Sequence, residues 1–311
     1  MADRRLEDIT RALRTDAQAV VRTADDRYRT FIRETAQALT SDHRVRILLL
    51  SGPSGSGKTT TANLIADEVR AAGHESHVIS LDNFYRETAD PLYPRLPDGT
   101  RDVESCEALD LPLARATLAR AAMGEAFSVP RYDFKTGSYA GEPYRFGATD
   151  DGLVIIEGLH ALNPALTSSI PRGCCRKLFI SVSTNLTYGG ERVLSGCKLR
   201  FVRRLVRDHL YRGADARMTL AMWPGVLRGE DLYLYPYRTE ADITADTFHE
   251  YEAGLMAPFA LRVLEDAPAS DPFVRTVMEA MRLSQPVDER LIPEDSLMRE
   301  FIPGGKYEHL Y

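Results

Sequence analysis

The sequence predicts an α/β protein built on a doubly wound, mostly parallel sheet, and three features carry that expectation. An apolar, strand-length run at Val45–Leu50 gives way to a glycine-rich turn over 52–57. A helix-length segment, Thr59–Ala72, follows, and a second strand, Glu75–Leu81, comes after it. Strand, helix and strand in this order form a βαβ unit, the repeat from which such sheets are wound.

The remaining elements are read in chain order. Leu6, Ile9 and Leu13, then Val20, Val21, Tyr28 and Phe31, fall at helical spacing before the polar break Thr40-Ser41-Asp42, so residues 1–44 form a helical extension that packs on the main domain or on a second subunit. The stretch Arg86–Asp102, rich in Pro, Asp and Arg, reads as an exposed loop over the site. A helix at about Leu109–Met123, a strand-like Phe127–Tyr132, a buried strand Leu153–Ile156 and another strand Lys177–Val182 follow. A strongly basic helix is expected from about Glu191 to Arg212, and the chain is mainly helical from about Tyr251. The organisation expected is an extension over 1–44, a main domain over 45–260 with a lid at about 191–217, and a helical extension and tail over 261–311.

Composition bounds the function. The 311 residues are 44% hydrophobic and 27% charged, which is globular rather than disordered. With 39 Lys+Arg against 45 Asp+Glu the formal net charge is -6, which argues against a general nucleic-acid or polybasic membrane binder, so any anion site must be local. No run approaches 18 apolar residues, and the arginine-rich N-terminus carries Asp3, Glu7 and Asp8, unlike an acid-poor transit peptide. Four cysteines without CxxC spacing read as reduced thiols, and a cytoplasmic location is expected.

The strongest chemical signal is Gly52-Pro53-Ser54-Gly55-Ser56-Gly57-Lys58-Thr59, a G-x-x-x-x-G-K-[ST] phosphate loop with a strand before it and a helix after it. Glycines let the backbone curl so that successive N–H groups face phosphate oxygens, and the following helix adds its positive N-terminal end. Gly52, Ser54, Gly55, Ser56, Gly57, Lys58, Thr59 and Thr60 are therefore candidate nucleotide-binding residues. Lys58 would bridge the β- and γ-phosphates, and Thr59 would ligate Mg²⁺. These features predict a P-loop NTPase using ATP and Mg²⁺. No Asn is followed by Lys, so the guanine-reading motif of a GTPase is absent, and Leu194-Ser195-Gly196-Cys197-Lys198 is a helix cap rather than an ABC-type signature.

Three further features point to phosphoryl transfer. Asp82 follows the second strand, where this architecture places reactive groups; it is either a general base for an acceptor hydroxyl or a strand-end aspartate capping a turn. Glu157 ends the apolar run Leu153–Ile156, a position suited to a carboxylate near Mg²⁺. Arg200, Arg204 and Arg207 share one helical face, with Arg203 beside it and Arg212 beyond, and few acids lie nearby in sequence. Read as a lid, this helix closes over ATP, with Arg203 on the nucleotide and Arg204 and Arg207 stabilising the transferring phosphoryl group. The alternative is a solvated basic face.

Taken with Leu81-Asp82-Asn83-Phe84-Tyr85, Tyr132-Asp133-Phe134-Lys135-Thr136, Ile155-Ile156-Glu157-Gly158 and the run Arg203–Gly213, the chain resembles the uridine kinase and phosphoribulokinase family over about residues 45–260. The stretch from Trp223 to Ile243 and the tail Leu297–Gly304 are similar to a bacterial uridine kinase-like nucleoside kinase branch. The resemblance implies that Asp82 is the catalytic base and that Thr59 and Glu157 attend Mg²⁺. It also implies an acceptor pocket of Tyr85, Glu104, Tyr132 and Phe134, with Arg212 at the substrate. Three positions depart from the nucleoside kinase pattern: Gly137 replaces a pyrimidine-reading His, Ala214 a basic residue, and Glu104 an Asp. The expected activity is ATP-dependent phosphorylation of a small-molecule hydroxyl, foremost a nucleoside 5′-hydroxyl. The alternatives are a kinase for a sugar phosphate, pantothenate or polyol, and a catalytically silent nucleotide-binding module. No nucleic-acid or membrane partner is expected, and a homo-oligomer is slightly favoured by the resemblance alone.

Overall fold

A computed structural model describes residues 2–149, 151–171, 173–268 and 270–310. The strands are β1 (Asp3–Arg5), β2 (Ile47–Ser51), β3 (Ser76–Ser80), β4 (Phe127–Val129), β5 (Tyr132–Asp133), β6 (Ser138–Tyr139), β7 (Tyr144–Phe146), β8 (Leu153–Glu157), β9 (Cys175–Ser181), β10 (Asn185–Tyr188), β11 (Glu191–Leu194) and β12 (Ile243–Asp246). The helices are α1 (Leu6–Thr40), α2 (Lys58–Ala71), α3 (Leu111–Ala122), α4 (Pro164–Thr167), α5 (Gly196–Arg212), α6 (Ala216–Tyr233), α7 (Glu252–Leu264) and α8 (Pro272–Leu283).

The central sheet has the order β12-β9-β2-β8-β3, and every pairing in it is parallel. Covering both faces of a parallel sheet requires side chains alternating between two cores. That alternation is visible along β2, where Leu48 and Leu50 enter the core beneath α1, α2, α5 and α7 while Ile47 and Leu49 enter the one beneath α3. Burial on both faces is why β2 and β8 read as continuous apolar runs. The chain leaves β2 toward β8 and β3 on one side and later returns to β9 and β12 on the other. The loop after β2 thus opens at the topological switch point, where ligands of this architecture bind.

Both chain ends pack on this unit. The N-terminal segment is not helical from its start: Asp3–Arg5 pairs in parallel with Asn185–Thr187 before α1 begins. Helix α1 also breaks at Asp16, whose backbone leaves helical geometry and whose carboxylate accepts from the Ala19 N–H at 2.9 Å, capping the second half of the helix. Its predicted stripe is buried through Leu6, Ile9, Leu13, Val21 and Tyr28, and the Tyr28 hydroxyl lies 2.6 Å from Thr61 Oγ1 on α2. Helix α1 therefore packs on its own chain.

Two other expectations are corrected. Phe127–Tyr132 is two short strands, interrupted at Pro130-Arg131, because proline removes a ladder N–H. Glu191–Leu194 is not the start of the basic helix but the strand β11, antiparallel to β10, and the helix starts at Gly196. Ser195 caps it by accepting from the Lys198 N–H at 3.3 Å. Among the described residues no helix is long and apolar enough to cross a membrane.

Candidate active site

The site forms at the carboxyl ends of β2, β3 and β8. The loop between β2 and α2 needs its glycines for space as well as conformation. A Cβ on Gly52 would lie 2.3 Å from the Ile180 carbonyl oxygen. Gly55, at φ +74°, would bring one within 2.7 Å of the Arg200 carbonyl oxygen. The first intrahelical bond of α2 runs from Thr61 N–H to the Gly57 carbonyl, so the N–H groups of Lys58, Thr59 and Thr60 have no acceptor within the helix. Two of them remain available for an anion, while Thr60 N–H donates to the Glu300 carboxylate at 3.1 Å. Lys58 Nζ donates to the Pro53 carbonyl at 3.3 Å, folded back over the loop. The Ser56 hydroxyl is buried and turned away from the cleft toward Gly52, so Ser56 offers a ligand its backbone only.

Asp82 lies in a 3₁₀ turn, Leu81–Phe84, directly after β3. Ser80, not Asp82, caps that turn, by accepting from the Asp82 N–H at 3.4 Å, which leaves the carboxylate clear of the capping role that sequence left open. Asp82 is reachable by solvent yet walled by protein, as expected of a group on the floor of a cleft. Burial raises its pKa, against the opposing charges of Lys58, Arg212 and Arg207. Glu157, buried at the end of β8, lies 3.5 Å through Oε1 from Thr59 Oγ1. Burial pushes it up to about 7, with the Asp82 charge adding and Lys58 opposing. The Thr59 hydroxyl beside the Glu157 carboxylate is an all-oxygen donor pair. It fits Mg²⁺, which takes few protein ligands and completes its octahedron with water and substrate phosphates.

Glu104 reaches the same cleft: burial pushes it to about 7, and it feels Arg204, Asp82 and Lys58. It packs against Gly229 of α6, where a Cβ would come within 2.3 Å of the Glu104 Cβ. Beside it stand the aromatic rings. Tyr85 and Tyr132 have ring centroids 5.8 Å apart, and Phe134 lies 5.4 Å from Tyr85 and 5.0 Å from Tyr132. Phe134 is 63% exposed and so forms a rim rather than a pocket wall. The loop over 86–102 is not wholly exposed: Tyr93 and Asp102 are buried, and Asp102 accepts from Arg228 Nη2 at 2.7 Å and from the Tyr233 hydroxyl at 3.1 Å. Gly137 sits at φ +68° in the β5–β6 turn with Thr88 where a Cβ would be, at 2.5 Å, so a side chain is sterically shut out there.

The basic helix departs furthest from expectation. It is a core helix: Leu199, Phe201, Val202, Leu205 and Val206 are buried, and so are Arg200, Arg203, Arg204 and Arg207. Asp208 of the same helix lies within 3.4 Å of Arg204, Arg207 and Arg212, and the other acids come from distant segments. Arg200 makes a two-pronged pair with Glu230 at 2.7 and 2.9 Å. Arg203 pairs with Glu252, and Arg207 lies 3.7 Å from Glu300. A row of buried arginines needs such partners, because an unpaired buried charge is prohibitive. Arg203 is 1% exposed and spends its donors on Glu252, Thr247 and the Gly55 carbonyl, so the expectation that it touches nucleotide is corrected. Arg204 donates to Ser54 Oγ at 2.8 Å and pairs with Asp208. Arg212, at the open end of α5, keeps over half its side chain in solvent.

Glu230, Glu252, Leu297 and Glu300 were not singled out from sequence as neighbours of the site. Leu297 packs on Gly57, where a Cβ would meet its Cδ1 at 2.7 Å. The available signal was indirect: five arginines in one helix require acids from elsewhere in the chain.

Residues 47–187 match the model of the Phosphoribulokinase / Uridine kinase family. A uridine kinase of Schizosaccharomyces pombe is 32% identical over 175 residues, 55% of this chain, which spans only 34% of that longer protein. A uridine kinase of Deinococcus deserti is 26% identical over 207 residues, 66% of this chain and 89% of its own length. A solved Silicibacter sp. TM1040 structure, described as a fructose transport system kinase, superposes with a TM-score of 0.50 at 21% identity, covering 69% of this chain and 98% of that one, and shares the fold. The segment 47–187, which holds the phosphate loop, Asp82 and Glu157, is thus similar to the phosphoribulokinase and uridine kinase family.

Proposed function

We propose that the protein transfers the γ-phosphoryl group of ATP to a hydroxyl of a small molecule, foremost the 5′-hydroxyl of a nucleoside. The observation that carries this reading is the convergence of Lys58, Asp82, Glu104 and Glu157 on one cleft beside the phosphate loop. The chemistry is assigned to residues 45–260, flanked by the extensions 1–44 and 261–311, in a cytoplasmic enzyme.

In this reading the loop N–H groups and Lys58 hold the β- and γ-phosphates. Thr59 and Glu157 would hold Mg²⁺, which when bound neutralises charge on the phosphates. Asp82 accepts the proton of the acceptor hydroxyl as its oxygen attacks the γ-phosphorus; the new O–P bond forms and the bond to the ADP oxygen breaks. Lys58, Arg204 and Arg207 balance the charge of the transferring group. Glu104 accepts hydrogen bonds from acceptor hydroxyls, the Tyr85, Tyr132 and Phe134 rings cover its flat face, and Arg212 closes the open side.

A second reading, a non-nucleoside acceptor such as a sugar phosphate, pantothenate or polyol, is favoured by the Gly137 turn, which leaves no side chain to read a base edge. ADP release measured across a panel of nucleosides, sugar phosphates, pantothenate and polyols separates the two. Turnover confined to nucleosides and lost in Lys58→Ala supports the first reading. Turnover confined to the other acceptors overturns it in favour of the second, and MgATP binding without any phosphorylated acceptor overturns both.

A further inference from the structure

Helix α5 and the phosphate loop are joined through the loop's carbonyl groups. Arg200 Nη1 donates to the Ser54 carbonyl at 2.9 Å while the same guanidinium grips Glu230. Glu230 in turn accepts from the Ser54 N–H at 2.9 Å, so one peptide unit on each side of Ser54 is fixed by the pair. Arg203 Nη1 donates to the next carbonyl, Gly55, at 3.3 Å. Its remaining donors are anchored by Glu252 at 3.0 Å, by Thr247 Oγ1 at 3.2 Å and by the Thr247 carbonyl at 2.8 Å. The helix backbone itself touches the loop, since the Arg200 carbonyl oxygen sits where a Gly55 Cβ would be.

A peptide plane has its carbonyl and N–H on opposite sides. Holding two successive carbonyls against the protein interior therefore turns N–H groups of the loop toward the cleft, where a phosphate needs them. We propose that Arg200 and Arg203 are positioning residues whose ligand is the phosphate loop, and that α5 is a fixed buttress of the loop rather than a lid over the nucleotide. Arginine suits this task because its planar fork serves a carboxylate and a carbonyl at once, which a lysine ammonium on a flexible stem does not. A division of labour along α5 follows. Arg200 and Arg203 hold the loop, while Arg204, Arg207 and Arg212 lie toward the cleft, where Glu104 and Asp82 feel their charge. The proposal rests on the kinase reading for its consequence but not for its geometry.

The test is Arg203→Lys, which keeps the charge beside Glu252, with Arg200→Lys as a second variant should the first not fold. In the nucleotide-free protein, amide exchange over 52–60 should rise about tenfold, while exchange over 76–80 and 153–157 stays at the wild-type rate. Unchanged exchange in the loop, or an equal rise in all three segments, overturns the positioning role. Calorimetric MgATP titration should show Kd raised roughly tenfold; a loosened loop with an unchanged Kd overturns the link to nucleotide binding. Wild-type protein that binds no MgATP would instead defeat the kinase reading, and the exchange data would still decide whether the arginines hold the loop.

Discussion

The buried carboxylate of Glu300 accepts a hydrogen bond from the Thr60 N–H at 3.1 Å, at the N-terminal turn of the helix that follows the phosphate loop. A helix start with unpaired N–H groups and a partial positive charge attracts anions, and here a side chain from the far end of the chain already takes one of those positions. Glu300 also neutralises Arg207 at 3.7 Å. A bound triphosphate would meet this negative charge. Glu300→Gln keeps the shape and removes the charge, and it should tighten MgATP binding severalfold in a calorimetric titration. Weaker binding would make Glu300 a structural anchor instead.

In the proposed reading Asp82 is the general base, and its carboxylate makes no hydrogen bond to a neighbour among the described residues. Asp82→Asn should lower kcat by about 10²–10⁴ with the MgATP Kd nearly unchanged. An unaltered kcat would remove Asp82 from proton transfer.

Glu104 is pushed up to about 7 by burial, above the ordinary carboxylate range. A raised carboxyl pKa means that the folded state holds a proton the unfolded chain releases near pH 4.5. The stabilising contribution is therefore complete below about pH 4.5 and is lost as pH rises through about 7. Thermal melts of Glu104→Gln and wild type should coincide near pH 4.5, with the variant the more stable, by on the order of several degrees, at pH 8. Acceptor KM of the wild type should fall as pH rises through 7, because only the ionised form accepts from two hydroxyls; the variant should lose that dependence.

Gly137 occupies positive φ with Thr88 against its α-carbon. Gly137→His should not create a base-reading side chain. It should destabilise the β5–β6 hairpin, by roughly 1–2 kcal/mol for the backbone conformation alone. Urea melts and the ratio of purine to pyrimidine nucleoside turnover check this; an intact hairpin with a sharpened pyrimidine preference would contradict it.

The sequence by itself determined the parallel α/β class, the phosphate loop and the strand-end carboxylates. Each of these is written in short-range pattern: continuous apolar runs for strands buried on both faces, glycines at positions where the backbone is crowded, and acids placed directly after such runs. Glu157 was legible because a carboxylate rarely follows an apolar strand for packing alone, whereas Asp82 was legible from its place at a strand end, with a turn-capping role left open until the structure gave that cap to Ser80. The arginine helix was legible as a helix but not in its role. Its charge pattern is the same whether anions, water or acids neutralise it; of its acids only Asp208 is local, while Glu230, Glu252 and Glu300 lie 30, 49 and 93 residues from the arginines they meet. Pairings over such separations have no local periodicity; they exist only once the sheet has brought α5, α6, α7 and the C-terminal segment around the loop. Tertiary structure likewise decided that Gly137 is a conformational requirement rather than a lost side chain, and that the C-terminal tail belongs to the site.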